Sequence, residues 1–257
     1  MSKRAQIIHP SAIMRLEPDF SSETSNELLF GEQVEILETH GDFHVVENQA
    51  DGYEGYIHAG ALSDVLFEPT HAITAQQAYL YSAPDFKSPP LGSLPFEAKI
   101  RIENEDEREA GFVQTAHDGW VFHKDIRAID GFSYDFVKTA KRFLHAPYLW
   151  GGRTAAGLDC SSLVQLSMMA AGIPCPRDTG EQAEELGAPA AFQSAADFKA
   201  IKAGDIVYFP GHVGIMLDST KLLNATSRHM RVVVEDLFDL IGIYGEITAL
   251  RRIADYE

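Results

Sequence analysis

A glycine-rich loop that runs into a helix through one cysteine is the feature that most constrains the fold of this 257-residue chain. Residues 148–165 read YLWGGRTAAGLDCSSLVQ, with Cys160 at the junction. Beyond Cys160, apolar residues recur at helical spacing as far as Gly172, which is a natural C-terminal stop. The pattern predicts a helix whose first turn holds Cys160 and whose cap is Asp159 or one of the loop residues before it.

A cysteine in the first turn of a helix is well placed to act as a nucleophile. The unpaired N–H groups and the positive end of the helix dipole favour an anion there. We therefore expect the pKa of Cys160 to lie below the free value of about 8.5, and the same N–H groups can form an oxyanion hole. The alternative is a buried small apolar residue, which is the commoner role of a lone cysteine.

A base for this nucleophile is available at His212. Residues 205–217 read DIVYFPGHVGIML, which predicts two strands joined at a turn at Pro210-Gly211, with His212 opening the second strand. A histidine between two strands is more often a surface residue or a satisfied core residue. Here Gly211 and Gly214 flank the imidazole and leave room for a close neighbour.

The third member of such a site accepts a hydrogen bond from the other imidazole nitrogen. Asn224 lies in the next short apolar run, twelve residues after His212, and can lie beside it on an adjacent antiparallel strand. His229 is the competitor for this position. It falls in a polar stretch, 227–229, which is typical of a turn, so that its alternative role is that of a solvated turn residue.

At this point residues 131–257 resemble the NlpC/P60 cysteine peptidases, which have a papain-like fold. The resemblance is carried by Tyr148-Leu149-Trp150-Gly151-Gly152, Asp159-Cys160-Ser161, Pro176-Arg177-Asp178-Thr179, Gly204-Asp205-Ile206-Val207-Tyr208-Phe209, Gly211-His212-Val213-Gly214-Ile215 and Asn224-Ala225.

Two positions depart from the pattern of that family. Ser162 replaces the glycine that usually follows Asp-Cys-Ser, a change that a helix tolerates. Asn224 stands where the family most often has histidine. An asparagine keeps the orienting role but supplies no charge to stabilise an imidazolium, so a lower rate is expected.

The resemblance also implies which residues contact substrate. Tyr148 is expected to line the site, and Asp159 and Ser161 to contact substrate next to the nucleophile. Asp178 and Thr179, from the Pro-Arg-Asp-Thr block, complete the substrate-binding set in this domain.

A faint internal repeat precedes the cysteine domain. Residues 17–22 recur as residues 83–88, and Gly55-Tyr56-Ile57-His58 is matched by Gly119-Trp120-Val121-Phe122, so the offsets are 66 and 64 residues. Each unit holds short strand-like runs separated by polar turns. The units resemble bacterial SH3 domains, which often precede an NlpC/P60 domain.

The fold class expected is therefore α+β: a papain-like NlpC/P60 catalytic domain preceded by two small SH3-like β-barrels. The predicted domains are residues 1–67, residues 68–130 and residues 131–257. A hydrophobic content of 45% indicates packed cores rather than disorder.

Charge and composition exclude other classes of function. A net charge of −17 repels nucleic acid and anionic lipid, so neither is expected as a partner. The first residues lack the apolar run of a signal peptide and no later run could span a bilayer, so we expect a cytoplasmic protein.

Cysteine and histidine usage argues against a disulfide and a metal. The spacing of Cys160 and Cys175 does not exclude a disulfide, but a reducing compartment and a nucleophilic Cys160 both argue against one, and Cys175 is expected to be structural. With no paired Cys-x-x-Cys or His-x-x-x-His spacing, no metal or other cofactor is expected.

In the cytosolic, murein-peptide-recycling branch of the family, the first SH3-like module closes one end of the groove and recognises a free N-terminal amine. By resemblance that role falls to Glu17 and Tyr53, with help from Asp178. Each also has an ordinary alternative, a loop carboxylate for Glu17 and a rim aromatic for Tyr53.

The function expected is hydrolysis of the γ-D-glutamyl bond to a diamino acid, lysine or diaminopimelate, in short peptides that begin with L-Ala. The substrate is then the only expected partner, and no oligomeric state follows from the sequence. Two other functions remain open: a peptide-binding module that has lost catalysis, and a thiol acyltransferase on the same fold. A lipid acceptor is disfavoured because no amphipathic membrane-binding helix is present.

Overall fold

The computed structural model describes residues 3–190 and 200–253, in two compact units, Met1–Phe132 and Ser133–Glu257. The first unit is built of short strands and the second of strands and helices. Among the described residues, none of the helices combines the length and apolar character needed to cross a bilayer.

The first half of the first unit is one antiparallel sheet. Its strands are β1 (Lys3–Ile7), β2 (Ser11–Arg15), β3 (Thr24–Leu29), β4 (Gln33–His40), β5 (Phe43–Asn48), β6 (Glu54–His58) and β7 (Leu62–Ser63), in the order β3-β2-β6-β5-β4-β1-β7. In β2 the buried positions alternate, which is the pattern of a strand with one face on a core. The core consists of Ala5, Ile7, Ala12, Met14, Leu28, Val34, Val46, Ile57 and Ala61.

The second half of the first unit has a similar strand order, divided between two sheets. These are β8 (His71–Ile73), β9 (Gln77–Tyr81), β10 (Pro90–Pro95), β11 (Lys99–Ile100), β12 (Arg108–Glu109), β13 (Phe112–Gln114), β14 (Trp120–Phe122) and β15 (Ile126–Ala128). They form two sheets, β10-β9-β14-β13-β12 and β11-β8-β15. Phe30, from the first half, is buried in the second core, so the two halves share packing across the residue 67 boundary.

The two halves have the same backbone geometry where the sequence repeats. In the first turn, Asp19 N–H donates to Glu17 O and Ser22 N–H to Asp19 O, at 2.8 and 3.0 Å. In the second, Asp85 N–H donates to Ala83 O and Ser88 N–H to Asp85 O, at 2.7 and 2.9 Å. The turns are therefore equivalent although their first residues differ.

Strand pairing follows the same repeat. Arg15 pairs with Tyr56 between β2 and β6, and Tyr81 pairs with Trp120 between β9 and β14. These positions are offset by the same 66 and 64 residues as the motifs. The sequence repeat is thus a structural repeat.

In the second unit, the described residues form four helices and one larger sheet. The helices are α1 (Phe136–Lys141), α2 (Cys160–Ala170), α3 (Thr179–Glu185) and α4 (Leu237–Tyr244). The predicted helix after Cys160 is confirmed as α2, which begins at Cys160 and is followed by Gly172 at a positive φ of 72°. Only Met169 in α2 is not buried, so this helix runs through the core.

The six-stranded sheet of this unit is antiparallel. Its strands are β18 (Ala188–Pro189), β19 (Asp205–Phe209), β20 (His212–Met216), β21 (Lys221–Thr226), β22 (Arg231–Asp236) and β23 (Ala249–Arg252), in the order β18-β23-β19-β20-β21-β22. A separate two-stranded ribbon, β16 (Arg153–Thr154) with β17 (Gly157–Leu158), precedes α2. Every residue of β19 and β20 is buried.

The predicted turn at 210–211 is confirmed, because β19 and β20 pair antiparallel with Phe209 opposite His212. Gly211 there has a φ of +68°, a conformation that favours glycine. Gly214 has a different role: a Cβ at this position would lie 2.1 Å from Leu222 Cδ2. Glycine therefore allows β20 and β21 to approach closely, beside the histidine.

Candidate active site

Cys160 is the first residue of α2, and the start of this helix is held by a capping box. Ser162 N–H donates to Asp159 Oδ1 at 2.9 Å, and Asp159 N–H donates to Ser162 Oγ at 2.9 Å. The serine that replaces the usual glycine of the motif is therefore half of the cap. Since the cap fixes the first turn, the position of the thiol is set by the local sequence.

The environment of the thiol differs from the expectation of a lowered pKa. Cys160 is only 6% exposed, and this burial, together with the negative charge of Asp159, raises the pKa of the thiol to about 12. Hydrogen bonds from the backbone N–H groups of Val213 and Ser161 lower the pKa in part. Desolvation therefore outweighs the helix terminus and favours the protonated thiol.

Asp159 forms a buried ion pair with Arg177 directly beneath the nucleophile. Arg177 donates to both carboxylate oxygens, at 3.1 Å for Oδ1 and 2.6 Å for Oδ2, and donates to Ser161 Oγ at 2.7 Å. Gly151 N–H donates to Oδ2 at 2.9 Å. Burial alone would raise the pKa of Asp159, but the charge and hydrogen bonds of Arg177 hold it below its usual value.

His212 opens β20 and makes a hydrogen bond between its Nε2 and Asn224 Oδ1, with 2.9 Å between the two atoms. Asn224 is fully buried on β21, the adjacent antiparallel strand that the sequence predicted. Because Oδ1 only accepts, Nε2 carries the proton and Nδ1 presents its lone pair. An imidazole in this tautomer can accept a proton at Nδ1.

The imidazole is also held by an aromatic ring. Tyr244, from α4, stacks on His212 with 4.3 Å between ring centroids and 13° between planes. Burial lowers the pKa of His212, although the hydrogen bond that it donates to Asn224 and the charge of Glu235 act in the opposite direction. Both members of the Cys160 and His212 pair are thus favoured in their uncharged forms.

His212 and Cys160 lie at neighbouring points of the structure. The backbone N–H that bonds the Cys160 sulfur belongs to Val213, the residue directly after His212. Tyr148 also belongs to this site, because burial and the nearby Cys160 and Asp159 all raise the pKa of its phenol. Tyr148 therefore lies near the thiol, and its contact with substrate stays a prediction.

The other substrate-binding candidates of this unit surround the same helix start. Ser161 Oγ donates to Asp159 Oδ1 at 3.2 Å, so that both side chains engage Arg177. Asp178 is the exposed N-cap residue of α3, and Thr179 is the first residue of that helix. The Pro-Arg-Asp-Thr block therefore places a buried arginine next to an exposed carboxylate.

Glu17 and Tyr53 lie in the first unit. Glu17 is exposed at the start of the repeated turn, where its backbone N–H donates to Ser22 Oγ at 3.0 Å. Tyr53 is half-buried against the first core, with its hydroxyl 3.5 Å from Ser25 O. Glu17 is thus open to a ligand, whereas the ring of Tyr53 also serves the packing of its own sheet.

His229 does not contact His212 in this arrangement. It lies exposed in the turn after β21, and its Nε2 is 3.3 Å from Glu235 Oε1. The position beside the imidazole is taken by Asn224.

The sequence patterns did not predict a role in the site for three residues, Arg177, Glu235 and Tyr244. Arg177 stood inside a quoted motif, but its partner is 18 residues away. Glu235 ends a run of three valines, and an acid directly after an apolar strand could have drawn notice. Tyr244 carried no local sign.

Neither cysteine is in a disulfide: Cys160 lies in the site and Cys175 is buried in the loop after α2. Within residues 3–190 and 200–253, no three His, Cys, Asp or Glu side chains are grouped closely enough to hold a metal ion. The chemistry of the described residues is that of a thiol, an imidazole and an amide.

Two family models match the chain. The model described as the NlpC/P60 family matches residues 145–240, a span that includes Cys160, His212 and Asn224. The model described as the bacterial dipeptidyl-peptidase SH3 domain matches residues 14–62.

Curated relatives match over most of the chain. Dipeptidyl-peptidase 6 of Lysinibacillus sphaericus is 25% identical, over 94% of this chain and 94% of that protein. The gamma-D-glutamyl-L-lysine dipeptidyl-peptidase of Bacillus subtilis is 27% identical, over 88% of this chain and 80% of that protein.

Solved structures show the same fold. An NlpC/P60 family protein from Bacillus cereus superposes with a TM-score of 0.80 at 19% identity, over 97% of this chain and 99% of that one. An NlpC/P60 endopeptidase from Photobacterium damselae has a TM-score of 0.66 at 13% identity, over 98% and 71% of the two chains. The α+β fold class and the N-terminal SH3-like domain expected from the sequence are confirmed.

Proposed function

Because this chain carries an NlpC/P60 cysteine peptidase domain behind a bacterial SH3 domain, we propose that it hydrolyses the γ-D-glutamyl bond to a diamino acid in murein peptides that begin with a free L-Ala. The observation that carries the proposal is the hydrogen bond from His212 to Asn224 next to Cys160. The printed names of the relatives, which act on γ-D-glutamyl-L-lysine, supply the substrate class.

The chemistry proceeds in two steps. The Cys160 sulfur attacks the γ-carbonyl carbon while the thiol proton passes to His212 Nδ1, and the backbone N–H of Cys160 helps to hold the oxyanion. The intermediate then collapses, the C–N bond breaks, and His212 returns the proton to the leaving amine. Water hydrolyses the thioester with His212 as the base, which restores the free thiol.

Cys160 and His212 are both favoured in their uncharged forms, as this sequence of proton transfers requires. With a raised pKa at Cys160 and a lowered pKa at His212, the site holds no separated charges until substrate arrives. Proton transfer is then coupled to attack, and Asn224 stabilises the tautomer that can receive the proton.

The substrate is tested by mass spectrometry of products from L-Ala-γ-D-Glu-diaminopimelate, from the lysine analogue and from their N-acetylated forms. We expect free diamino acid only from peptides with a free amine. Cleavage of both forms would support the peptidase and remove the role of Glu17 and Tyr53 in reading the amine. Cleavage of neither would favour the binding or acyl-transfer functions.

The amine-recognition proposal rests on Glu17, Tyr53 and Asp178, because an ammonium group removed from water requires a carboxylate partner. The structural repeat supplies the variant to use. Alanine already occupies the matching position 83, in a turn with the same hydrogen bonds. Glu17→Ala should therefore keep the turn intact and reduce discrimination between the free and acetylated peptides.

The identity of the third catalytic residue is tested by two alanine variants. Asn224→Ala removes the acceptor for Nε2–H, so we expect kcat to fall about 10²-fold, less than for loss of the nucleophile. His229→Ala should change kcat by less than about threefold, since the imidazole of His229 lies against Glu235 and the position beside His212 is taken by Asn224. The kcat of each variant is measured from the diamino acid released from the free-amine peptide at timed intervals. A larger loss for His229→Ala would make His229 the third residue.

The proposed function also implies the compartment in which the protein acts. Two cysteines that form no disulfide are compatible with a reducing compartment, and hydrolysis of free murein peptides is a recycling reaction. We propose a cytoplasmic location, which cell fractionation with detection of the native protein tests.

A further inference from the structure

Glu235 lies behind the catalytic amide, at a point for which the reaction as described has no role. Its Oε2 accepts a hydrogen bond from Asn224 Nδ2 at 3.2 Å. Its Oε1 accepts from Arg228 Nη1 at 3.0 Å and lies 3.3 Å from His229 Nε2. The carboxylate is 13% exposed, so it is held in place and largely shielded from water.

The sheet brings these side chains together. Asn224 on β21 faces Val233 on β22, and Glu235 follows two residues later on the same side of the strand. His212, at the start of β20, contacts Asn224 from the other flank. A hydrogen-bonded chain of side chains therefore crosses three strands, from Glu235 through Asn224 to His212.

The chemistry of a carboxylate decides how the asparagine is oriented. An ionised carboxylate only accepts hydrogen bonds, and so does the carbonyl of Val233, which lies 3.5 Å from Nδ2. Nδ2 must therefore face Glu235, which leaves Oδ1 facing His212. With the opposite orientation, Nδ2 would donate to Nε2, the proton would move to Nδ1, and the base would be lost.

We propose that Glu235 is a positioning residue, which fixes the orientation of the Asn224 amide and so selects the tautomer of His212 that can accept the thiol proton. The proposal rests on the function proposed above for Cys160 and His212. Glu235 also brings a negative charge next to Asn224, whose amide is neutral.

Charged and aromatic groups face His212 and Glu235 from the neighbouring strands, helix and turn. His212 faces Asn224 from β21 and Tyr244 from α4, and the next residue, Val213, donates its backbone N–H to Cys160 of α2. Glu235 faces Arg228 and His229 from the turn before β22. The charge of Glu235 raises the pKa of His212, and that of Arg228 lowers it. Removal of the Glu235 charge should therefore move the acid limb of the activity profile to lower pH.

The test compares Glu235→Gln, Glu235→Asp and Glu185→Gln in the full-length protein. A glutamine both donates and accepts, so it permits either orientation of Asn224, whereas aspartate keeps the acceptor-only character. Glu185 is an exposed glutamate at the end of α3 and serves as the matched control. We expect Glu235→Gln to lower kcat about tenfold with KM within about twofold, Glu235→Asp to recover part of the loss, and Glu185→Gln to have no effect.

A second measurement follows His212 without any substrate. With ¹⁵N-labelled histidine, and with His212→Ala to assign the signal, the ring shifts report which nitrogen carries the proton. We expect the Nε2–H tautomer in the wild type and in Glu235→Asp, and a mixture of tautomers in Glu235→Gln.

These readouts separate the two proposals. Failure of the wild type to cleave the peptides would remove the proposed substrate, whereas the tautomer measurement would still decide the role of Glu235. A single Nε2–H tautomer in Glu235→Gln would overturn the positioning role. So would a loss of kcat that is accompanied only by a lower melting temperature.

Discussion

Replacement of Cys160 by alanine is expected to lower kcat for the γ-D-glutamyl peptide by at least about 10⁴-fold, because the site then has no thiol to form the thioester. The free energy of unfolding should change by less than about 1 kcal/mol, since the side chain is small and the capping box of α2 does not use the thiol. Product release by mass spectrometry and urea denaturation give the two values.

Cys175 is the matched control for this variant. It is the only other cysteine of the chain and is buried in the loop after α2. Cys175→Ala should keep kcat within about threefold of the wild type, because Cys175 lies outside the hydrogen-bonded set of His212 and Asn224. Substantial hydrolysis by Cys160→Ala, with Cys175→Ala as the impaired variant, would overturn the assignment of the nucleophile.

Replacement of Arg177 by methionine is expected to cost about 3–5 kcal/mol of unfolding free energy. The variant keeps the apolar bulk but leaves the Asp159 carboxylate buried without its cation. The same change removes the hydrogen bonds that hold Asp159, the N-cap residue of α2. Since Cys160 is the first residue of this helix, activity should fall as well. Asp159→Asn in the Arg177→Met background should recover part of the stability, because it removes the unpaired charge.

The pH dependence of this loss follows from the lowered pKa of Asp159. A carboxyl whose pKa is lower in the folded protein stabilises the fold above its unfolded pKa of about 3.9, and that contribution is lost as the pH falls through the folded pKa. The difference in unfolding free energy between wild type and Arg177→Met should therefore be largest near neutral pH and should become smaller below about pH 4.

Tryptophan fluorescence can assign this unfolding to the correct unit. The chain has two tryptophans, Trp120 in the first unit and Trp150 in the second. In a Trp120→Phe background, Trp150 reports the unit that carries the ion pair. Arg142→Met, at an exposed position of the same unit, should cost less than about 1 kcal/mol. An equal cost for both variants would mean that the buried pair is not a special source of stability.

Local sequence patterns predicted the parts of the site that depend on neighbouring residues. The helix start at Cys160, the turn before His212 and the strand of Asn224 all follow from spacing, glycines and capping residues within about a dozen positions. The repeat in the first unit was visible for the same reason, since each copy of the turn is a local hydrogen-bonded structure.

Features that depend on burial were not predictable in this way. The helix terminus suggested a low pKa at Cys160, but the thiol is enclosed, so desolvation reverses the direction. Arg177 and Tyr244 act on Asp159 and His212 from elements that are distant in sequence. Glu235 was missed because its role depends on the register between β21 and β22.

Catalysis depends on the length of two turns, because turn length sets the register between the strands that carry the site. His212, Asn224 and Glu235 lie on three consecutive strands that are joined by the turns at residues 217–220 and 227–230. Because side chains alternate between the faces of a sheet, a one-residue slip in either hairpin would turn one member of the chain away from the others. An insertion or deletion that shifts either register by one residue is therefore expected to remove activity, even when it lies at an exposed turn position.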